Sequence, residues 1–469
     1  MMEYKMTDSD KSLKMEMEEK YLSSSKNEIP HPSSFSFNRF QDINDFFNKF
    51  LSSPNNTISK NDSIWKDIIS SLFDIDSLPS IQDNQRNLTL KFTTKEYQKI
   101  ERKKEKYGEN NMNLLKILKI KNKRIAKKFK HAVMEGIPDE LRGLIWKIII
   151  DPLNSDFETL KSDIIDLINI GIDDNYTDGE DIESQYNYCI SFSSCYSNHC
   201  SISYYSIENY DTQSTCDAAP LQFSNHSSSN STLHYLAKHA SKNAIREIEN
   251  DLDRTLVQFE EIKSKQIQKE MKNILSAYSV IDKDIDFTQG MSFLVGLLLC
   301  FMDEYTSFNC FCIIMFSKRF NFREFFIHDF PGVVKMNKIW KVAIQKYYPK
   351  INQKLNENNV DPIIYTVGWW LTAFSCFPFP KNILLMIFDR YLLFGPSSLI
   401  SFGLIILNVY DDYLKHLSVD ELISFLQSPY IHPKMNDILY IRNIWNKKFL
   451  ITEKQYNKFE QKAFKVQQT

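Results

Sequence analysis

Two short segments combine side chains that can act on charge. In Ile248-Glu249-Asn250-Asp251-Leu252-Asp253-Arg254 a carboxylate precedes an arginine by three residues, so on a helix Asp251 can hold the Arg254 guanidinium in one orientation. The same spacing also describes an ordinary surface ion pair, worth about 0.2–0.5 kcal/mol. In Phe287-Thr288-Gln289-Gly290-Met291 the glutamine stands just ahead of the apolar run Phe293, Leu294, Val295, Leu297 and Leu298. Its amide is then carried on the start of a core helix, unless it is only a polar residue at a helix N-terminus with no partner.

Helices must position both segments. Ile245, Ile248, Leu252, Leu256, Phe259 and Ile262 recur at spacings of three and four, which predicts one amphipathic helix running through Arg254. On it Ile248 points into the core, Asp251 lies about 60° round and Arg254 about 120° round, at the edge of the solvent face. Later apolar runs are punctuated by Pro331-Gly332, Pro349, Pro362, Pro378, Pro380, Gly395-Pro396 and Pro433 and read as successive helices. Strand-like alternation is scarce, so the expected fold class is all-α.

The chain of 469 residues has 43% hydrophobic residues, with 34 Phe and 23 Tyr, enough for a large core. Its 57 Lys+Arg nearly balance 59 Asp+Glu, which argues against a nucleic-acid partner. None of the 11 glycines falls in a P-loop, a dinucleotide-binding G-x-G-x-x-G or a nucleophile elbow, and no H-E-x-x-H occurs. Those enzyme classes are therefore set aside. Met1 to Lys20 carries no apolar core of a signal peptide, predicting a chain that stays in the cytosol. The apolar stretch from Tyr391 to Tyr410 is interrupted by Gly395, Pro396 and three serines and follows Asp389-Arg390, so it reads as a buried helix pair rather than a membrane span. Cys300, Cys310, Cys312 and Cys376 read as small core residues. Cys189, Cys195, Cys200, Cys216 and His199 only loosely resemble a zinc cluster, because no C-x-x-C pair is present.

Composition divides the chain. Residues 1–90, rich in Ser, Asn, Lys and Asp, read as a disordered, mobile N-terminal arm without a stable core, in which short aromatic clusters such as Phe46-Phe47 and Ile64-Trp65 form only transient helices. Residues 91–130 form a basic helical lead-in. From Lys99 to Lys130 there are 13 Lys/Arg against 3 Glu, either a surface that rests on anionic lipid or an acidic partner, or a solvated helix. Residues 131–450 form the main domain. It is interrupted over about 154–232 by a long, disordered, low-complexity insertion that carries the acidic stretch Asp173, Asp174, Asp178, Glu180, Asp181 and Glu183. Residues 451–469 end the chain as a helix or tail.

Several motif blocks together resemble the TBC domain, the family of GTPase-activating proteins for Rab-type small GTPases. Gly136-Ile137-Pro138-Asp139-Glu140-Leu141-Arg142-Gly143-Leu144-Ile145-Trp146 looks like the family's opening G-I-P-x-x-L-R-G-x-x-W. Arg142 and Trp146, four apart on one face, read there as a lock between the first helices. Ile248, Asp251 and Arg254 match I-x-x-D-x-x-R. Phe287 to Met291 is similar to Y-x-Q-G-M, with Phe287 in place of Tyr and Asp286 in place of the preceding Gly. Trp369 to Phe374, Phe377-Pro378-Phe379-Pro380 and Ile387 to Gly395 resemble the W-x-x-x-x-F, L-P and W-D-x-x-x-x-x-G blocks, Phe388 replacing Trp.

The resemblance implies a two-lobed, multi-helix TBC-type domain that stimulates GTP hydrolysis by a Rab-type small GTPase in its GTP-bound state and so regulates vesicle trafficking. Arg254 would be the arginine finger, and Gln289 the glutamine finger that orients water. Asp251, Ile248, Phe287, Gly290, Arg142 and Trp146 would support them. The chain would hold no cofactor or metal of its own, since GTP and Mg²⁺ come with the partner. It would be an enzyme activator without a substrate pocket, cytoplasmic or peripheral on endomembranes, in contact with anionic membrane and not with nucleic acid. The departures at Asp286 and Phe287 leave a second reading, a catalytically weak or inactive scaffold that binds a GTPase or a membrane partner. A third is a helical membrane-surface adaptor acting through Lys99 to Lys130.

Overall fold

A computed structural model describes residues 60–72, 90, 92–107, 112–152, 228–256, 258–317, 319–320, 322–429 and 433–465. The cysteines and histidine of the loose zinc cluster and the acidic stretch lie outside these residues. Among the described residues there is no strand, and the all-α expectation holds. Before the insertion come α1 (Lys60–Leu72), α2 (Thr94–Tyr107), α3 (Leu114–Lys121), α4 (Lys123–Glu135) and α5 (Asp139–Ile150). After it come α6 (Ser228–Lys238), α7 (Lys242–Leu252), α8 (Lys265–Ile281), α9 (Met291–Leu299) and α10 (Glu304–Phe316). The second half holds α11 (Pro331–Tyr347), α12 (Pro349–Glu357), α13 (Ile363–Leu371), α14 (Lys381–Phe394) and α15 (Ser397–Val409). It closes with α16 (Asp411–Leu414), α17 (Val419–Gln427), α18 (Pro433–Asn436), α19 (Ile438–Lys447) and α20 (Glu453–Lys465).

Local chemistry sets many of these boundaries. Asn113, Asn122, Ser241 and Asp303 each accept a hydrogen bond from a backbone N–H in the first turn of the helix that follows, and Ser418 with Glu421 forms a capping box. Pro331 and Pro349 occupy first-turn positions, where a missing N–H costs nothing. One contiguous hydrophobic core runs through both halves and includes Trp146, Trp340, Trp369, Trp370 and Trp445. Every residue of α9 is buried, with α8 on one side of it and α10 on the next. The apolar stretch from Tyr391 folds as the expected helix pair, α14 against α15, and no described helix is long and apolar enough to cross a membrane.

Four expectations are corrected. The first 90 residues include α1, whose buried Trp65 donates through Nε1 to the Gly136 carbonyl at 3.0 Å and meets Phe129 edge-on. The stripe from Ile245 to Ile262 is not one helix: α7 stops at Leu252, Leu256 has φ +48°, and a 3₁₀ turn occupies Glu260–Lys263. The pattern stays apolar because the turn folds back onto the same core. Helix α6 begins at Ser228, inside the low-complexity tract. Cys376 is exposed, whereas Cys300, Cys310 and Cys312 are buried.

Candidate functional site

Arg254 sits in the turn just beyond α7, with its side chain 55% exposed, and its Nε donates to Asp251 Oδ1 at 2.7 Å. Asp251, by contrast, is fully buried. Its other oxygen accepts from the Ser292 hydroxyl and, at 3.4 Å, from the Gly290 N–H. Thr255 Oγ1 donates to the Asp251 carbonyl at 2.7 Å and lies 2.8 Å from Ser292 Oγ. The Asp–Arg pair is therefore no loose surface contact: a buried carboxylate, held from the start of α9, grips the guanidinium at one nitrogen. Neither Nη group has a hydrogen-bond partner among the described residues, which leaves both for something outside. Ile248, one turn earlier, is buried and anchors α7. Gly296 faces this turn: a Cβ there would lie 2.8 Å from Leu256 Cδ1, the end of a side chain that would have to shift.

The same carboxylate ties the glutamine segment to the arginine turn. Gly290 has φ +108° and begins α9 without a side-chain cap, a conformation that L side chains rarely adopt. Gln289, one residue before it, is exposed. Arg254 and Gln289 thus extend from two backbone segments pinned to one buried residue. Phe287 is 8% exposed and belongs to the core.

The loop leading to Gln289 has its own clamp, which the sequence reading missed. Arg323 binds Asp282 through two bonds of 2.7 Å and Asp284 at 2.6 Å, and the Tyr278 hydroxyl donates to Asp282 at 2.6 Å. Burial alone pulls the Arg323 guanidinium down, but its bonds to Asp282 and the charge there raise it above its ordinary value. Burial, then the Asp282 charge, pushes the Tyr278 hydroxyl well up. Asp286 has φ +56°, which accounts for Gly in the resembled motif: Asp is among the few side chains that tolerate this region. Partial burial raises its carboxyl, against the opposing pull of Lys283 and Ser279. Asp286→Gly is therefore expected to leave stability within about 1 kcal/mol of the parent, while a β-branched Asp286→Val loses about 1–2 kcal/mol. Urea midpoints at constant slope would check this, and equal midpoints for the two variants would refute it.

Arg142 and Trp146 lie apart from this network and hold the two halves together, not merely the first helices. Arg142 Nε and Nη2 lie 3.3 and 3.4 Å from the carboxylate of Asp389 on α14, and Trp146 Nε1 donates to it at 2.7 Å. Arg142 also bonds Asp139 and the Ile137 carbonyl. Burial raises the Asp389 carboxyl, with Arg142 and Trp146 pulling it back. Phe388, the residue in place of Trp, meets the Trp146 ring edge-on with centroids 4.8 Å apart. Ser292, Thr255 and Arg323 were not foreseen. Ser292 alone left a signal, as a hydroxyl inside an apolar run.

No group of side chains able to hold a metal ion is found among the described residues. The Rab-GTPase-TBC domain model matches residues 139–415, which spans both clusters. The chain is 30% identical over 156 residues to GTPase-activating protein GYP5 of Eremothecium gossypii, covering 33% of this chain and 18% of that one. It is 30% identical over 155 residues to GYP5 of Saccharomyces cerevisiae, covering 33% and 17%. It is 26% identical over 228 residues to the human ecotropic viral integration site 5 protein homolog, covering 47% and 28%. The matched stretches thus amount to less than a third of the length of these relatives. Among solved structures, a Chlamydomonas flagellar RabGAP TBC domain is similar at 16% identity and a TM-score of 0.39, covering 82% of this chain and 96% of that one. The family match extends over more than half of the sequence and contains the Asp251, Arg254, Gln289 and Arg142 motifs: this chain belongs to the Rab-GTPase-TBC domain family.

Proposed function

We propose that this chain accelerates GTP hydrolysis by a Rab-type small GTPase in its GTP-bound state, supplying Arg254 and Gln289 in trans. The observation that carries the reading is the buried Asp251, which fixes the arginine turn and the glutamine turn from one carboxylate. A small GTPase hydrolyses slowly because its own site leaves transition-state charge under-stabilised and the attacking water poorly oriented. The Arg254 Nη groups, with Nε already held by Asp251, are preorganised to meet charge developing between the β- and γ-phosphates. Gln289 would orient the water with one amide oxygen and one amide N–H pair. Nucleotide and Mg²⁺ belong to the partner, so the chain needs no cofactor. Peripheral contact with an anionic membrane, through the basic lead-in, would place it beside membrane-bound GTPases on endomembranes.

The test is phosphate release from a panel of GTP-loaded Rab-type GTPases. Gln289→Ala is expected to lower kcat by about 10²-fold while leaving GTPase affinity within threefold, roughly the loss of one oriented catalytic hydrogen bond. Undiminished stimulation by Gln289→Ala would remove the glutamine from the mechanism. Saturable binding with no stimulation of any panel member would favour the scaffold reading instead.

A further inference from the structure

We infer that the groove where α3 and α4 face the α14–α15 corner and the start of α20 is a binding site for a headgroup carrying two or more phosphate monoesters. The inference rests on the membrane reading above and gives it a site. The groove has a volume of 850 Å³. Helix α3 contributes Lys116 and Lys119 to it, and α4 contributes Lys123, Lys127 and Lys130. The α4 lysines are spaced by four and three residues, so they stand on one face.

What these lysines are bonded to separates this face from a merely solvated one. Lys128, on the neighbouring face of α4, is neutralised by Asp67 of α1 at 3.0 Å. On the groove side the single acidic lining residue is Glu453, 3.6 Å from Lys116. Lys119, Lys123 and Lys127 are exposed and make no ion pair with any described residue. Lys130 Nζ lies 5.4 Å from the Phe394 ring centroid. Arg319 is committed to the floor, donating to the Ile149 and Leu392 carbonyls, and is not counted as a donor to the ligand. Lys454 at the start of α20 also lines the groove, and the N-terminal ends of α15 and α20 border it, adding partial positive charge.

The chemistry follows from this arrangement. Point cations without an acidic partner among the described residues, set a helical turn apart on α4, suit compact groups of charge about −2 better than single carboxylates. The floor at Leu393, Phe394 and Pro396 is apolar and offers a surface to the C–H face of the ring that bears such phosphates. A phosphorylated inositol lipid and a soluble inositol polyphosphate share this chemistry, and the assay must separate them.

The 469-residue chain is tested for co-sedimentation with phosphatidylcholine vesicles containing either phosphatidylinositol bisphosphate or phosphatidylserine at matched total charge. Two charge-reversal pairs are compared: Lys123→Glu with Lys127→Glu in the groove, and Lys99→Glu with Arg102→Glu on α2, outside it. The expected results are preference for the bisphosphate vesicles, a loss of roughly tenfold or more for the groove pair, and a clearly smaller loss for the α2 pair. Inositol trisphosphate should displace the parent protein from the vesicles. If inositol trisphosphate binds and the groove pair abolishes that binding, while no vesicle binds, the site stands and the membrane reading falls. Equal losses for both pairs, no preference over phosphatidylserine, or equally strong binding of an acidic carboxylate peptide would each overturn the site. Stimulation of a GTPase in the absence of vesicles should be the same for both pairs and the parent, which shows that the fold is intact and keeps a failed site distinct from a failed GTPase reading.

Discussion

Arg254→Ala is expected to lower stimulated GTP hydrolysis by about 10³-fold or more, with GTPase binding close to that of the parent chain and a loss of stability of about 1–3 kcal/mol. The size follows from the role: an arginine supplied in trans is worth roughly 10³ to 10⁵ in rate, because it meets charge that exists only in the transition state. The moderate stability loss follows from the structure, since Asp251 is fully buried but keeps two other donors. The side chain is 55% exposed, and its removal strips Asp251 of one donor while the Ser292 hydroxyl and Gly290 N–H remain. Arg254→Lys should recover little, because an ammonium cannot bond Asp251 at one nitrogen and offer a planar pair of N–H groups beyond it. Single-turnover phosphate release, alongside equilibrium binding to the same GTPase, separates the two effects. A rate within tenfold of the parent would show that the turn after α7 is not the source of charge stabilisation.

The residues that carry this prediction were legible in the sequence, but their environment was not. Asp251 and Arg254 are three apart, and that spacing alone is compatible with an exposed ion pair worth about 0.2–0.5 kcal/mol. Asp251 differs from such a pair because its other partners, Gly290 and Ser292, are about forty residues away, on an element that local periodicity cannot bring near. The break after Leu252 was hidden for a related reason. Leu256, Phe259 and Ile262 are all buried, so the hydrophobic rhythm continues through a turn that has abandoned helical geometry. The stable packing of helix α1 was missed because its anchor is tertiary: Trp65 finds its hydrogen-bond acceptor at Gly136, 71 residues on. What composition and spacing did carry was the helical class, the Tyr391 to Tyr410 pair and the position of Gln289 ahead of α9, all of which depend on contacts close in sequence.

The largest loss of stability is expected away from the finger turn, at Asp389. Asp389→Ala should destabilise the chain by about 3–5 kcal/mol, because it takes from a buried guanidinium its buried carboxylate and leaves only the largely exposed Asp139. Arg142 is 6% exposed and Asp389 2% exposed, so the parent pair relies on its own contacts more than on hydration. The Trp146 N–H loses its acceptor as well. Arg142 keeps Asp139 and the Ile137 carbonyl, which sets the loss within that range rather than above it. Asp389→Asn retains an acceptor for Trp146 and should cost about 1–3 kcal/mol. The pair itself need not be a net source of stability, since burial raises the Asp389 carboxyl even against the pull of Arg142. Replacing both partners together, as Arg142→Met with Asp389→Leu, should therefore recover more than half of the loss seen in Asp389→Ala. Urea unfolding at constant slope measures all three. If the double variant is no more stable than Asp389→Ala, the Arg142–Asp389 pair stabilises the junction of α5 and α14 in its own right. If Asp389→Ala costs less than about 1 kcal/mol, the Trp146 and Arg142 contacts are not what holds those helices together.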